Sequence, residues 1–224
     1  MSAAAGKAAV ARTIFVLGHS IANGVGADDT VNGGASLPAG VSFRDGGTNR
    51  ATWPDSNGTG PDPGILPRLA ALAQAAGATT LQIVRRATNG QIVAGIQTTE
   101  LVGAIQDQLA LGCPDPDLVV LMIGENDAQA GESAAYTTRI LVVIDLILQR
   151  WPNTRIVLQD AVTSDLAGFP EVASIQAANV AATARAQTEL SSRAGITTQD
   201  TVHYSLAGYT RAAENIWNAW LAVE

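Results

Sequence analysis

Two histidines, His19 and His203, are present in this chain of 224 residues. A hydroxyl nucleophile working near neutral pH needs a base of this kind, because imidazole titrates close to 7. His203 lies in Gln199-Asp200-Thr201-Val202-His203-Tyr204. A carboxylate three residues before a histidine can reach its Nδ1 within one tight turn. It would fix the tautomer there and stabilise the imidazolium formed when Nε2 takes a proton. An ordinary surface turn explains the same spacing, so the pattern needs partners. Ser20, in Val16-Leu17-Gly18-His19-Ser20, is the candidate nucleophile. It follows an apolar run and so falls at the carboxyl edge of a sheet, where backbone N–H groups of the next element face outward. A helix N-cap is the competing explanation for a serine at this junction. The Gly-x-Ser-x-Gly elbow is absent, because Ala22 stands at its last glycine position.

Two further clusters could stabilise an oxyanion. After a third apolar run comes Ile123-Gly124-Glu125-Asn126-Asp127, where the Asn126 amide is a donor that transfers no proton. After the second run comes Ala87-Thr88-Asn89-Gly90-Gln91, where Gly90 could present its backbone N–H. Turn-forming roles account for each of these alone. No metal or cofactor is expected. His19, His203 and Cys113 have no ligand-like spacing, Asp28 and Asp29 lack the EF-hand pattern, and no dinucleotide fingerprint or P-loop occurs. Cys113 has no histidine nearby and is expected to be a structural thiol.

The elements that must hold these groups alternate between strand and helix. Continuous apolar runs at 13–17, 81–84, 118–123 and 155–158, with a weaker one at 196–198, predict about five strands of a mainly parallel sheet buried on both faces. Helical periodicity covers 65–76, 91–111, 136–150, 174–193 and 206–223. In the second of these, Ile96, Val102, Ile105 and Leu109 mark the expected buried face. The predicted architecture is a single α/β domain over 1–224, a flavodoxin-like three-layer α/β/α sandwich with ligands at the carboxyl ends of the strands. The stretch 24–64, rich in glycine and proline, fits no regular element. Its Trp53 and Arg44 suggest a lid or rim over the site, or else a surface Ω-loop.

In order and spacing, Gly18-His19-Ser20, Gly90, Gly124-Glu125-Asn126-Asp127 and Asp200-Thr201-Val202-His203 resemble the four blocks of the SGNH (GDSL-like) hydrolases. The resemblance spans the chain. It implies Ser20 as nucleophile, His203 as base, Asp200 as its orienting carboxylate, and an oxyanion hole formed by the Ser20 N–H, the Gly90 N–H and the Asn126 side chain. One departure is His19, which stands where many members carry Asp; it is either a competing base or a hydrogen-bonding residue behind the site. Gly60-Pro61-Asp62-Pro63-Gly64, with the Gly124 block, is similar to the carbohydrate acetylesterase branch related to sialate O-acetylesterases.

Composition narrows the function. The net charge of -7 opposes binding to nucleic acid or an anionic membrane. No apolar run approaches the roughly 20 residues that span a bilayer, and no signal peptide is visible, so a soluble protein of unread compartment and oligomeric state is expected. With aromatics at 4% and no long apolar flap, a small acyl group is favoured over a lipid tail, an acetyl on a sugar above all. Trp53 could stack on a pyranose, unless it only anchors its loop, and Arg44 could bind a carboxylate. Asp127 is a candidate for a supporting role. The alternatives are a thioesterase or lipid-ester hydrolase using the same triad, or a non-catalytic carbohydrate-binding module on this fold.

Overall fold

The computed structural model describes residues 10–54, 63–161 and 168–222. Apolar runs build its centre. β1 (Val10–Gly18) and β5 (Leu118–Met122) are side by side and parallel. Ile14, Phe15, Val16 and Leu17 are all fully buried, as a strand covered on both faces requires. Alternation along β1 sends Phe15 and Leu17 to one core and Ile14 and Val16 to the other. The first core is completed by α2 (Val93–Gly95), its π-helical continuation Ile96–Glu100, α3 (Leu101–Leu111), α5 (Ser133–Arg150) and α6 (Val172–Ala182). The second is completed by α1 (Leu66–Ala75) and α7 (Leu206–Leu221). The result is the expected three-layer sandwich.

Among the described residues the sheet has seven strands rather than five. Added to the two above are β2 (Val41–Asp45), β3 (Thr48–Arg50), β4 (Ala78–Ala87), β6 (Arg155–Gln159) and β7 (Thr188–Ser191). Their spatial order is β3-β2-β4-β1-β5-β6-β7, and only the β2–β3 pair is antiparallel. Chain order reverses direction at β1, so the crevice beyond the carboxyl ends of β1 and its neighbours is where such a sheet binds ligands. A six-residue helix, α4 (Glu125–Ala130), opens directly after β5.

Three sequence expectations need correction. The helix expected over 174–193 stops at Ala182; after a turn with Gln187 at φ +59° the chain becomes β7. Alanine-rich sequence on both sides hid that boundary. The fifth strand therefore lies at 188–191. Residues 196–198 supply only the isolated bridge Thr198↔Tyr204. On α3, Val102 and Leu109 are 47% and 70% exposed, while Leu101 and Ala104 are buried. Ile96 and Ile105 of the expected face do pack in the first core; the π turn ahead of α3 offsets the helical register, so Val102 and Leu109 do not share that face.

The 24–64 stretch contains the β2–β3 hairpin, which extends the sheet beside β4. Residues 60–62 of the segment similar to the acetylesterase branch lie outside the described residues, as do 1–9 and 223–224. Trp53 is 2% exposed and packs on Phe43, with ring centroids 5.5 Å apart. It cannot stack on a sugar without leaving the core. Arg44 pairs with the buried Asp107, which also accepts from Arg86 at 2.6 Å, and so fastens the hairpin to α3. Trp53→Ala should therefore cost about 3–5 kcal/mol of stability, read from urea unfolding. It should leave kcat/KM of the folded protein nearly unchanged; a raised KM with no loss of stability would return Trp53 to the site. Among the described residues no helix is long and apolar enough to cross a membrane.

Candidate active site

β1 ends in a close approach. A Cβ on Gly18 would collide with the carbonyl oxygen of Met122 on the neighbouring strand, so glycine is required where the chain leaves the sheet. The next residues turn tightly, with Val25 N–H donating to Ser20 O at 3.0 Å. Ser20 is thereby held at the carboxyl edge of the central strand, mostly buried. It caps no helix, since residues 20–26 form turns that are not continued into one.

His203 reaches Ser20 across 183 residues of sequence. Its Nε2 lies 3.1 Å from Ser20 Oγ, and its Nδ1 lies 2.8 Å from Asp200 Oδ2. Asp200 Oδ1 accepts the backbone N–H groups of Val202 at 2.7 Å and His203 at 2.6 Å. The short loop carrying both is braced by Gln199 N–H to His203 O at 2.8 Å and by the Ser205 cap on α7. Burial pushes the Asp200 carboxyl up, but the hydrogen bonds from His203 and from the Val202 and His203 N–H groups outweigh it and hold the carboxyl below its usual range. It therefore stays an anion that accepts from Nδ1–H, leaving the Nε2 lone pair facing the serine hydroxyl. Gly26, at φ +86°, lets this loop close: a Cβ there would stand 2.8 Å from His203 Cβ.

The loop bearing Gly90 is fixed from both sides. Thr88 Oγ1 donates to the buried Glu100 at 2.6 Å, Asn126 Nδ2 donates to Gln91 O at 2.9 Å, and Val93 N–H donates to both Asp127 oxygens at 3.1 and 3.2 Å. Asn23, just past Ser20, donates to Ala87 O and Asn89 Oδ1. Among the described residues, the Ser20 N–H, the Gly90 N–H and the second Asn126 amide N–H have no acceptor. Gly90 and Asn126 follow the two strands that flank β1, and three such donors along the sheet edge that holds Ser20 are suited to an oxyanion.

Ser20, His203, Asp200, Gly90 and Asn126 are thus brought to one sheet edge, whereas Trp53 and Arg44 are not part of it. His19 and Asp127 lie behind it. His19 is fully buried, with Nε2 2.8 Å from Glu125 Oε2 and Nδ1 accepting the Ile21 N–H at 3.2 Å. With both ring nitrogens so engaged, it is not placed to act as the base for Ser20. Asp127 is also fully buried; burial pushes its carboxyl up to about 6 against the Val93 hydrogen bonds. Sequence reasoning assigned no part to Glu125, Asn23 or Glu100. A carboxylate directly after a strand was the available signal for Glu125, but its partner is 106 residues away. No group of His, Cys, Asp and Glu suited to a metal ion occurs among the described residues.

Residues 16–222 match the model of the GDSL-like lipase/acylhydrolase family. No curated protein sequence matches the chain. Among solved structures, a protein of Parabacteroides merdae described as a GDSL-like lipase superposes with a TM-score of 0.67 at 17% identity, covering 95% of this chain and 96% of its own. An acetylxylan esterase of Geobacillus stearothermophilus, solved as a catalytic mutant, gives 0.60 at 15% identity, covering 93% and 94%. A carbohydrate esterase family 2 enzyme with a carbohydrate-binding domain, from Corynascus thermopiles (Myceliophthora fergusii), gives 0.61 at 18% identity, covering 95% of this chain and 66% of that one.

Proposed function

The chain belongs to the GDSL-like lipase/acylhydrolase family and is an ester-hydrolysing enzyme, and on that premise we propose that it removes small acyl groups, acetyl in particular, from carbohydrate through Ser20, His203 and Asp200. The observation that carries the catalytic part is the continuous relay from Asp200 Oδ2 through His203 to Ser20 Oγ, at 2.8 and 3.1 Å.

In the first step His203 Nε2 takes the Ser20 proton as Oγ bonds to the ester carbonyl carbon. The carbonyl oxygen becomes an anion facing the Ser20 N–H, the Gly90 N–H and the free Asn126 amide hydrogen. As the intermediate collapses, the carbon–oxygen bond to the alcohol breaks and His203 returns its proton to that alcohol. Water then repeats the sequence against the acyl-serine and restores the enzyme. Asp200 stays ionised throughout and stabilises the transient imidazolium.

The substrate class is supported by the surroundings of Gly90, where the exposed Thr88 and Asn89 present a polar surface that suits a sugar better than an alkyl chain. The similar folds of an acetylxylan esterase and a carbohydrate esterase agree with it. p-Nitrophenyl acetate should exceed p-nitrophenyl octanoate in kcat/KM by roughly tenfold or more, since an unburied octanoyl chain gains nothing on binding. Faster octanoate turnover would overturn the small-acyl assignment.

A further inference from the structure

We propose that His19 and Glu125 form a buried clamp that sets the separation between the nucleophile and the oxyanion donor. The proposal rests on Ser20 and Asn126 having the roles just described. Both clamp residues stand one position before those groups in sequence: His19 before Ser20, Glu125 before Asn126. Each follows a central strand, His19 directly after β1 and Glu125 at the start of α4, three residues past the end of β5.

The hydrogen bonds fix the imidazole's protonation. A backbone N–H can only donate, so the 3.2 Å contact from Ile21 N–H makes His19 Nδ1 an acceptor. The ring proton is therefore on Nε2 and is donated to Glu125 Oε2 at 2.8 Å. One rigid ring thus does two things. Toward Ile21 it closes a three-residue loop around Ser20, leaving the Ser20 N–H itself uncommitted. Toward Glu125 it continues the tie between the two strands beyond their paired residues Gly18 and Met122, where the His19 N–H also donates to Met122 O at 3.3 Å.

A polar pair at this depth costs desolvation that an apolar pair of similar volume would avoid. Simple filling of the core therefore does not account for it. What the pair provides is a fixed length between two turns whose relative placement decides oxyanion stabilisation, where a displacement of about 1 Å can cost about 10²-fold. Neither residue touches the substrate; both are positioning residues.

The test separates placement from general stability. Glu125→Ala should lower kcat for p-nitrophenyl acetate by about 10- to 100-fold, with KM within about threefold. In an Asn126→Ala background the same change should cost less than about threefold, because the group it positions is gone. Equal losses in the two backgrounds overturn the clamp. If Asn126→Ala alone keeps wild-type kcat, the oxyanion assignment beneath the clamp fails instead, and the clamp falls with it. His19 gives an independent comparison that avoids an emptied carboxylate site. His19→Gln can still donate to Glu125 from about the position of Nε2, whereas His19→Asn keeps an acceptor near Nδ1 but falls short of Glu125. Retention of kcat in His19→Gln, with at least a tenfold loss in His19→Asn, supports the clamp. The reverse order, or equal activity, overturns it, including in the event that Glu125→Ala does not fold.

Discussion

Ser20→Ala is expected to lower kcat for p-nitrophenyl acetate by on the order of 10⁴-fold or more while leaving the fold intact. The hydroxyl makes one polar contact with His203 and its removal empties almost no volume, so circular dichroism and thermal unfolding should stay close to wild type. His203→Ala should cost about as much. The double variant should cost little more than either, because a base without a nucleophile and a nucleophile without a base are equally ineffective. Additive losses would mean that the two residues act in separate steps. Asp200→Ala should cost less than His203→Ala. The Asp200 side chain is 55% exposed, so water can partly replace it at Nδ1. Pre-steady-state release of p-nitrophenol checks the same point from another side: the wild type should show a burst and Ser20→Ala none.

Asn126→Ala has the second largest expected effect, a loss of about 10²–10³ in kcat with little change in KM, equivalent to about 2.7–4 kcal/mol of transition-state stabilisation. A structural explanation for such a loss is weak, because the Gly90 loop keeps its other anchors. Thr88 still donates to Glu100, and Val93 still donates to Asp127. Deleting the amide gives up one hydrogen bond to Gln91 O and the second N–H, the one proposed to meet the oxyanion. The first of these is worth roughly 1 kcal/mol of stability and should appear in unfolding, not in turnover. Asn126→Asp should be at least as damaging as the alanine, since it sets a negative charge beside a developing one. A fall in kcat of less than threefold for the alanine variant would remove Asn126 from the oxyanion hole.

Much of this was legible before any coordinates. The apolar runs at 13–17, 81–84, 118–123 and 155–158 specify strands because a segment with no polar face can only be buried on both sides, and they became β1, β4, β5 and β6. The residues directly after those runs had to fall at one edge of the sheet, since parallel strands place their carboxyl ends together. Hence Ser20, Gly90 and Asn126 could be grouped from sequence position alone. Asp200 and His203 could be paired from a spacing of three only together with the other blocks, since a surface turn explains that spacing alone.

Other features depended on contacts that no local pattern carries. Whether 188–191 continues a helix or joins the sheet was decided by a free edge on β6, not by its own propensities. The destination of Trp53 depended on Phe43 lying across the hairpin, and that of Arg44 on Asp107, 63 residues away. A tryptophan among glycines reads the same whether it faces a sugar or a core. The role of His19 is the sharpest instance: its sequence neighbour is the proposed nucleophile, yet its ring is turned to Glu125 by a hydrogen bond spanning 106 residues. Short-range periodicity and the continuous apolar strands follow from sterics and burial within a few residues, and the sequence determines them. The direction a buried polar side chain takes is settled by which partner the tertiary structure brings within reach, because an unpaired polar group in the interior is too costly to leave.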